Sequence, residues 1–386
     1  MSIAIIGAGL GGLAAALALQ RLGHPVSVYE RSAHMSEVGA GITLHPNATK
    51  ALTHLGLGEA IAATGVAVQH TAIKHYKTNQ VLVETKKGGE HVAKFGAHLY
   101  QIHRADVHHA LERAVRAHDP HCIKTNHALI DIQNLDDAVA LYFDSDVTVM
   151  AEAAIGCDGI KSTVRAKMFS PAPPVFTGRI AYRGVLPRTL VSDEMIWPGS
   201  GVWIGPERTF GAYVMRAGTL VNFVATVRKH AWTEEGWSIS ADRDEVLAEF
   251  SEWHPFVQDI IRRTPGEALF KWGLFSHAPL QNWVHGRVAV LGDAAHPMLP
   301  FMGQGAAQAF EDAVILARCI DGSPGPAAAL RRYQAARQER ATFVQLESAA
   351  KADRWESANP ENYSPANHRN EDTLGVVAYD AATAPI

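Results

Sequence analysis

The run IAIIGAGLGG, residues 3–12, constrains the fold of this chain more than any other stretch. Ser2–Ile6 reads as a buried strand, Gly11–Leu22 as a helix and Pro25–Glu30 as a second strand, which is a βαβ opening. Between the first strand and the helix stands Gly7-x-Gly9-x-x-Gly12, with Leu10 and Gly11 completing the turn. Gly7 permits the turn, Gly9 lets the backbone approach a pyrophosphate, and Gly12 lets helix and strand pack closely. The helix N-terminus then faces the phosphates, and Glu30, eighteen residues after Gly12, accepts ribose hydroxyls. A dinucleotide site follows, with FAD, NAD and NADP all open at this point.

At 386 residues the chain exceeds the size of one hydrophobic core, so two intimately packed domains are expected. A formal charge of −4 gives no electrostatic footprint for nucleic acid, and a small ligand is the better partner. Cys122, Cys157 and Cys319 are far apart and form no C-x-x-C pair, which disfavours disulfides, structural zinc and dithiol redox chemistry and fits a reducing cytoplasm. No metal ligand set is read from the sequence. Residues 3–19 are uncharged, yet they lack a cationic flank and change from strand to helix character midway. No signal or membrane segment is therefore expected.

Further along, Val38–Gly56 reads as a glycine loop entering a helix over Ala48–Leu55 with Asn47 as its cap. Residues 68–102 read as antiparallel strands, Ala105–Ala117 as a helix, 122–156 again as alternating strands, and Ala153–Arg165 as strand, turn and helix. The stretch 176–230 carries long alternating runs of a mostly antiparallel sheet. One helix is expected over Asp242–Arg262, a buried strand over Arg287–Ala294, and helices near Gln304–Ile320 and Gly325–Ala350. The last 25 residues or so are polar and turn-rich and read as a surface extension. Nucleotide-type strands at both ends with an antiparallel sheet between them predict an interleaved α/β protein. Its Rossmann-like domain spans 1–70, 98–172 and 280–325, a mostly antiparallel β-sheet substrate domain spans 71–97 and 173–279, and C-terminal helix and tail occupy 326–386.

Two more motifs carry chemistry: Cys157-Asp158-Gly159 after an apolar strand, and Gly292-Asp293, followed by Pro300 and Gly303-Gln304-Gly305 at a helix start. A helix N-terminus presents unpaired N–H groups and partial positive charge to whatever lies before it. Together with Gly7/Gly9/Gly12, Glu30-Arg31 and the segment His103-Arg104-Ala105-Asp106-Val107-His108, in this order and spacing, these resemble the single-component FAD-dependent aromatic hydroxylases. The resemblance spans roughly residues 3–345 and is greatest to the salicylate hydroxylase and 3-hydroxybenzoate 6-hydroxylase group.

The resemblance implies a bound FAD and a visiting NADH or NADPH, with NADH favoured; no second strand-embedded GxGxxG exists to hold a resident nicotinamide. It implies that Glu30 meets the adenosine ribose, that Arg31, Arg104 and Leu129 lie along the adenosine and phosphate side, and that Asp293 meets the ribitol chain. Gly303, Gln304, Gly305 and Ala306 would face the flavin pyrimidine edge, Asp158 would contact FAD and NAD(P)H, and Pro300 would sit at the oxygen-reaction site. The reaction so implied is hydroxylation of a small phenolic acid, salicylate or another hydroxybenzoate, with O2 through a C4a-hydroperoxyflavin, in a monomer or homodimer away from membranes. A site of this kind favours phenolate and excludes water.

Tyr213, Arg183, Met215 and Phe223 are the substrate-side candidates from the central sheet, Arg183 as a bidentate carboxylate partner. Tyr213, His45, His296 and Pro300 are the catalytic candidates, the histidines for proton handling. Related 6-hydroxynicotinate hydroxylases are expected to carry pocket histidines where this chain has Thr43, Thr209 and Phe301, which lowers the pyridine reading. Two further readings stay open: hydroxylation or epoxidation of a larger natural product, and a flavin-binding protein without turnover.

Overall fold

The computed structural model describes residues 1–35, 41–234, 236, 239–357 and 359–386. Strands Val288–Val290, Ala153–Gly156, Ile3–Ile6, Val26–Tyr29 and Ile123–Lys124 lie side by side and parallel, with Val284–His285 antiparallel at one edge. Ile3–Ile6 is buried along its whole length. Covered on both faces, it needs apolar side chains in both directions, which accounts for an unbroken rather than alternating run. Helix Leu10–Gln20 packs against both Arg104–His118 and Gly305–Asp321.

A second sheet has the order Ile239–Ser240, Leu269–Ser276, Val175–Pro187, Leu220–Arg228, Arg208–Met215, Ser200–Gly205, His70–His75, Val81–Lys86. Its pairings are antiparallel except where Ser200–Gly205 runs beside His70–His75. Strand alternation separates two faces. Phe210, Ala212, Phe223 and Ala225 point into an apolar cluster with Trp203, Phe250 and Trp253. Thr209, Gly211, Tyr213, Val224 and Thr226 point the other way, into a cavity. The strands of both sheets thus come from interleaved parts of the chain.

Several local expectations are corrected. Helix Pro46–His54 is capped at His45, because Pro46 takes the first helical position with its preset φ, and Asn47 lies fully buried inside the first turn. The helix expected over 242–262 is two helices, Arg243–Glu249 and Pro255–Arg263. Pro255 lacks the N–H a continuous helix would use and disfavours helical geometry at His254. Residues 68–102 include a helix, Gly89–Phe95, besides their strands. The C-terminal tail is no loose extension: Val376, Val377 and Ala381 are buried. Arg318 donates to the carbonyls of Ala381 and Ala384 at 2.7 and 2.8 Å, and Lys50 to that of Ala378 at 2.8 Å. Of the expected glycine loop before Asn47, residues 38–40 lie outside the described residues. Among the described residues, no helix is long and apolar enough to cross a membrane.

The glycine turn is sterically closed. A Cβ on Gly12 would lie 2.0 Å from the carbonyl oxygen of Gly7, and one on Gly7 2.5 Å from that of Cys157. Gly12→Ala is therefore expected to lower the unfolding free energy by more than about 2 kcal/mol, seen as a lower urea midpoint. A midpoint equal to that of the unaltered chain would show that helix and strand do not meet this closely.

Candidate active site

A cavity of about 560 Å³, within the range of small-molecule sites, lies between the nucleotide turn and the open face of the second sheet. Gly9, Leu10, Gly11, Arg104 and Asp293 line its nucleotide side; Pro300 and Gly303–Ala306 line it before and at the start of helix Gly305–Asp321. Tyr213, Thr209, Thr226, Ser200 and Trp272 contribute from the second sheet, and His45, Thr43 and Gln101 from the segments beside it.

The residues fit a bound FAD. A Cβ on Gly9 would meet nothing within 4 Å, so the turn has open space above it. The first turn of helix Leu10–Gln20 carries no acidic residue and its cap no side-chain hydrogen bond, which leaves its N–H groups for phosphate. Glu30 accepts from the backbone N–H of Ala8 at 2.8 Å and of Ser32 at 2.9 Å, fixing its carboxylate at the turn. Gln304, fully buried at the cavity wall, has a side-chain Nε2 with no partner among the described residues, a donor suited to a flavin carbonyl. Asp293 is reachable from the cavity yet walled by protein; burial raises its pKa, opposed by the charges of His296 and Arg104.

Behind the loop and the helix start lies a buried ionic network. Arg337 donates from Nε to Asp312 at 2.7 Å and from Nη1 to Glu311 at 2.6 Å. Asp312 also accepts from the N–H of Gly292 at 3.1 Å and pairs with His296 Nε2 at 2.6 Å. Burial opposes its ionisation, but the charges of His296 and Arg337 hold its pKa down at about 2. Glu311 accepts from Asn47 Nδ2 at 2.7 Å, and the same amide reaches Gln304 Oε1 at 2.9 Å. Two backbone segments that line the cavity are thereby tied to one guanidinium.

The structure brings some of the expected site residues together and leaves others apart. Tyr213, His45, Pro300, Arg104, Asp293 and Gly303–Ala306 meet at the cavity. Phe223 does not, since alternation turns it to the opposite face, where it stacks on Phe210 at 4.9 Å. Met215 is buried at the hairpin end opposite Leu220, and the Arg183 guanidinium lies over Phe270 and Trp272, outside the lining. His296 is held by Asp312 and packs on Trp283, also away from the cavity. Leu129 belongs to the apolar core and Arg31 is exposed. The Asp158 carboxylate caps helix Thr163–Met168, accepting from the N–H of Thr163 at 2.7 Å and of Val164 at 3.2 Å, while its neighbours Cys157 and Gly159 line the cavity.

Sequence reasoning missed Lys87, Lys351, His368, Asn370 and Glu371, all of which line the cavity. It also missed the buried roles of Asn47 and Arg337; a Glu311-Asp312 pair inside an otherwise apolar helix was the available signal, because such a pair demands a buried cation.

Burial drives the pKa of His45 down to about 4, opposed chiefly by the charge of Glu371, so its imidazole is neutral at ordinary pH, and its Nδ1 has no partner among the described residues. Burial raises the pKa of Tyr213, opposed by Arg183, so its hydroxyl stays protonated. The Tyr213 ring rests over Gly41, where a Cβ would fall 2.5 Å from its hydroxyl oxygen. The cavity therefore offers one neutral proton acceptor and one fixed phenolic donor.

Residues 1–348 match a family model described as FAD binding domain. A 3-hydroxybenzoate 6-hydroxylase of Aquipseudomonas alcaligenes is 35% identical over 91% of this chain and 89% of its own length. A 6-hydroxynicotinate 3-monooxygenase of Pseudomonas fluorescens is 34% identical over 89% of each chain. Among solved structures, Klebsiella pneumoniae HpxO complexed with FAD and uric acid is similar with a TM-score of 0.86 and 25% identity, covering 98% of this chain and 96% of that one. A salicylate hydroxylase substrate complex gives a TM-score of 0.82 at 25% identity, covering 99% and 96%.

Removing one partner of a buried ion pair strands the other charges. Arg337→Met is expected to lower stability by about 3–5 kcal/mol and to weaken FAD retention, measured by urea unfolding and by flavin absorbance after gel filtration. Unchanged stability and retention would show that the network does not hold the loop.

Proposed function

This chain belongs to the FAD binding domain family and is an FAD-dependent aromatic-ring monooxygenase, and we propose that the ring it oxygenates is a small phenolic acid of the hydroxybenzoate class. The observation that carries this reading is the meeting of Tyr213 and neutral His45 with the flavin-side segment Gly303–Ala306 around one cavity.

Bound FAD, reduced by NAD(P)H, supplies the activation of O2 that allows one oxygen atom to be inserted into an electron-rich ring. The chain's own residues prepare the ring. His45, neutral above about pH 4, accepts a hydrogen bond from the phenolic hydroxyl and draws its proton away from the ring oxygen; so low a pKa makes it a weak base that does not hold the proton outright. Tyr213, protonated throughout, donates a hydrogen bond to the resulting oxygen and fixes the ring's orientation. With Arg183 outside the cavity, hydroxyls and amides meet the acid group: Thr209 and Thr226 pair at 2.7 Å, and Gln101 links Thr43 at 2.9 Å to Ser200 at 3.2 Å. Leu299, Phe301, Met302 and Trp272 form apolar walls that exclude water and so limit wasteful formation of H2O2. Gly9–Gly11, Glu30, Arg104 and Asp293 are the residues that would hold the FAD, from its adenosine side to its ribitol.

The 6-hydroxynicotinate relatives support a second reading, a pyridine ring. Thr43, Thr209 and Phe301, the positions where histidines are expected for that substrate, all line the cavity, and this favours the benzoate. NADH is the preferred donor on family resemblance. Three unpaired cysteines support a cytoplasmic setting.

The test is oxidation of NADH and NADPH over salicylate, 3- and 4-hydroxybenzoate and 6-hydroxynicotinate, with H2O2 measured alongside. A hydroxybenzoate is expected to stimulate oxidation with few electrons lost to H2O2; stimulation by 6-hydroxynicotinate alone, or by no ring, contradicts the substrate assignment. His45→Gln is expected to lower kcat/KM on that ring by roughly tenfold or more with FAD still bound, as for a lost hydrogen-bond acceptor in a buried site. Tyr213→Phe is expected to raise the fraction of electrons reaching H2O2. Unaltered kinetics in both variants would remove these residues from the reaction.

A further inference from the structure

The family match ends at residue 348, but the cavity wall does not. Lys351, Trp355, His368, Asn370 and Glu371 line it, and Lys351, Asn370 and Glu371 are each more than nine-tenths buried. We propose that the C-terminal segment beyond residue 348 is a specificity-determining wall of the active site, in which Glu371 receives a hydrogen-bond-donating ring substituent, a hydroxyl or an amino group, on the aromatic substrate. This deepens the phenolic-acid reading and rests on it.

The segment is held rigidly enough to act as a wall. Lys351 Nζ donates to Glu371 at 2.5 Å, and Lys87 Nζ to Asp372 at 2.5 Å, with His91 at 3.2 Å from the same carboxylate. His368 is fixed between the Tyr363 hydroxyl and Asn370 at 2.9 Å each. Asn370 Oδ1 in turn accepts from the N–H groups of Asp372 and Thr373 at 3.1 and 2.9 Å. Arg340 donates to the carbonyl of Val376 at 2.8 Å, and Val376 packs with Met302 and Val344, so the tail is latched to the same loop that lines the flavin side.

Charge decides which group this wall accepts. Lys351 and Lys87 each already have a carboxylate partner, so neither is a surplus cation for an acid group. A second acid group on the ring would meet the Glu371 carboxylate with its lysine engaged, which is unfavourable in a buried site. Burial disfavours ionisation of Glu371, but the charge and hydrogen bond of Lys351 oppose it and keep the carboxylate charged. An ionised carboxylate only accepts, so the complementary group is a donor. A methyl of the same size would displace water from the carboxylate without replacing its hydrogen bond.

The experiment compares ring pairs that differ only in this group: 2,3-, 2,4- and 2,5-dihydroxybenzoate against the corresponding 2-hydroxy-methylbenzoates. Binding to the FAD-loaded chain is read from quenching of tryptophan fluorescence, since Trp272 and Trp355 line the cavity. Steady-state kcat/KM is read in parallel. The unaltered chain is expected to bind at least one dihydroxy ring about tenfold or more tightly than its methyl partner. Glu371→Gln and Glu371→Asp, the second keeping the charge but withdrawing it by one carbon, are each expected to shrink that ratio severalfold with FAD content unchanged. A ratio as large in either folded variant as in the unaltered chain overturns the proposal, as does the absence of any preference among rings that the unaltered chain binds and oxygenates. Failure of the hydroxybenzoate reading appears separately, as no binding of any of these rings or as binding without coupled oxygen transfer, and the proposal falls with it.

Discussion

The buried guanidinium of Arg337 is the interaction on which the rest of the site depends. It neutralises Glu311 and Asp312 on one buried turn of helix Gly305–Asp321. Through Asp312 it fixes Gly292 and His296, and through Glu311 it fixes Asn47 and Gln304. The loop carrying Asp293 and the helix start at Gly305 thus share one electrostatic anchor placed where water cannot screen it. Its position explains why these charges are buried behind the flavin-side wall of the cavity: they hold the backbone that lines it.

The cavity itself is a consequence of two sheets with opposite requirements. The parallel sheet is covered on both faces and ends in glycine turns that leave backbone N–H groups for phosphate. The second sheet has one apolar face, packed on Phe250 and Trp253, and one face of Thr, Gly and Tyr that stays open. An aromatic ring held between the flavin-side loop and that open face meets a neutral acceptor, a phenolic donor and apolar walls. Those are the conditions for oxygenating a phenolate while keeping water away.

Much of this was legible in the chain. Local spacing carries the glycine turn, the parallel strands and the loop from Gly292 to Gly305, because each depends on backbone geometry that only particular residues permit. The hydroxylase resemblance agrees with the family match over residues 1–348. Side-chain direction was less legible. Phe223 and Thr226 look equally plausible as pocket residues until the register of Leu220–Arg228 is known, and the register turns Phe223 inward to Phe210. Asp158 and His296 carry reactive groups, yet both are occupied, one as a helix cap and the other by Asp312. The tail read as surface because its composition is polar; the buried Val376-Val377 pair was the local sign that it docks. Long-range pairings such as Lys87 with Asp372 leave no trace in local sequence at all.

Where the inserted oxygen comes from decides whether this cavity oxygenates a hydroxybenzoate. The most direct measurement is the reaction of the FAD-loaded chain with NADH and a hydroxybenzoate under oxygen-18 gas, with the product analysed by mass spectrometry. One labelled oxygen atom in the ring product, and none when the label is supplied as water, is the expected result. A product without label, or label found only in H2O2 and water, would contradict it.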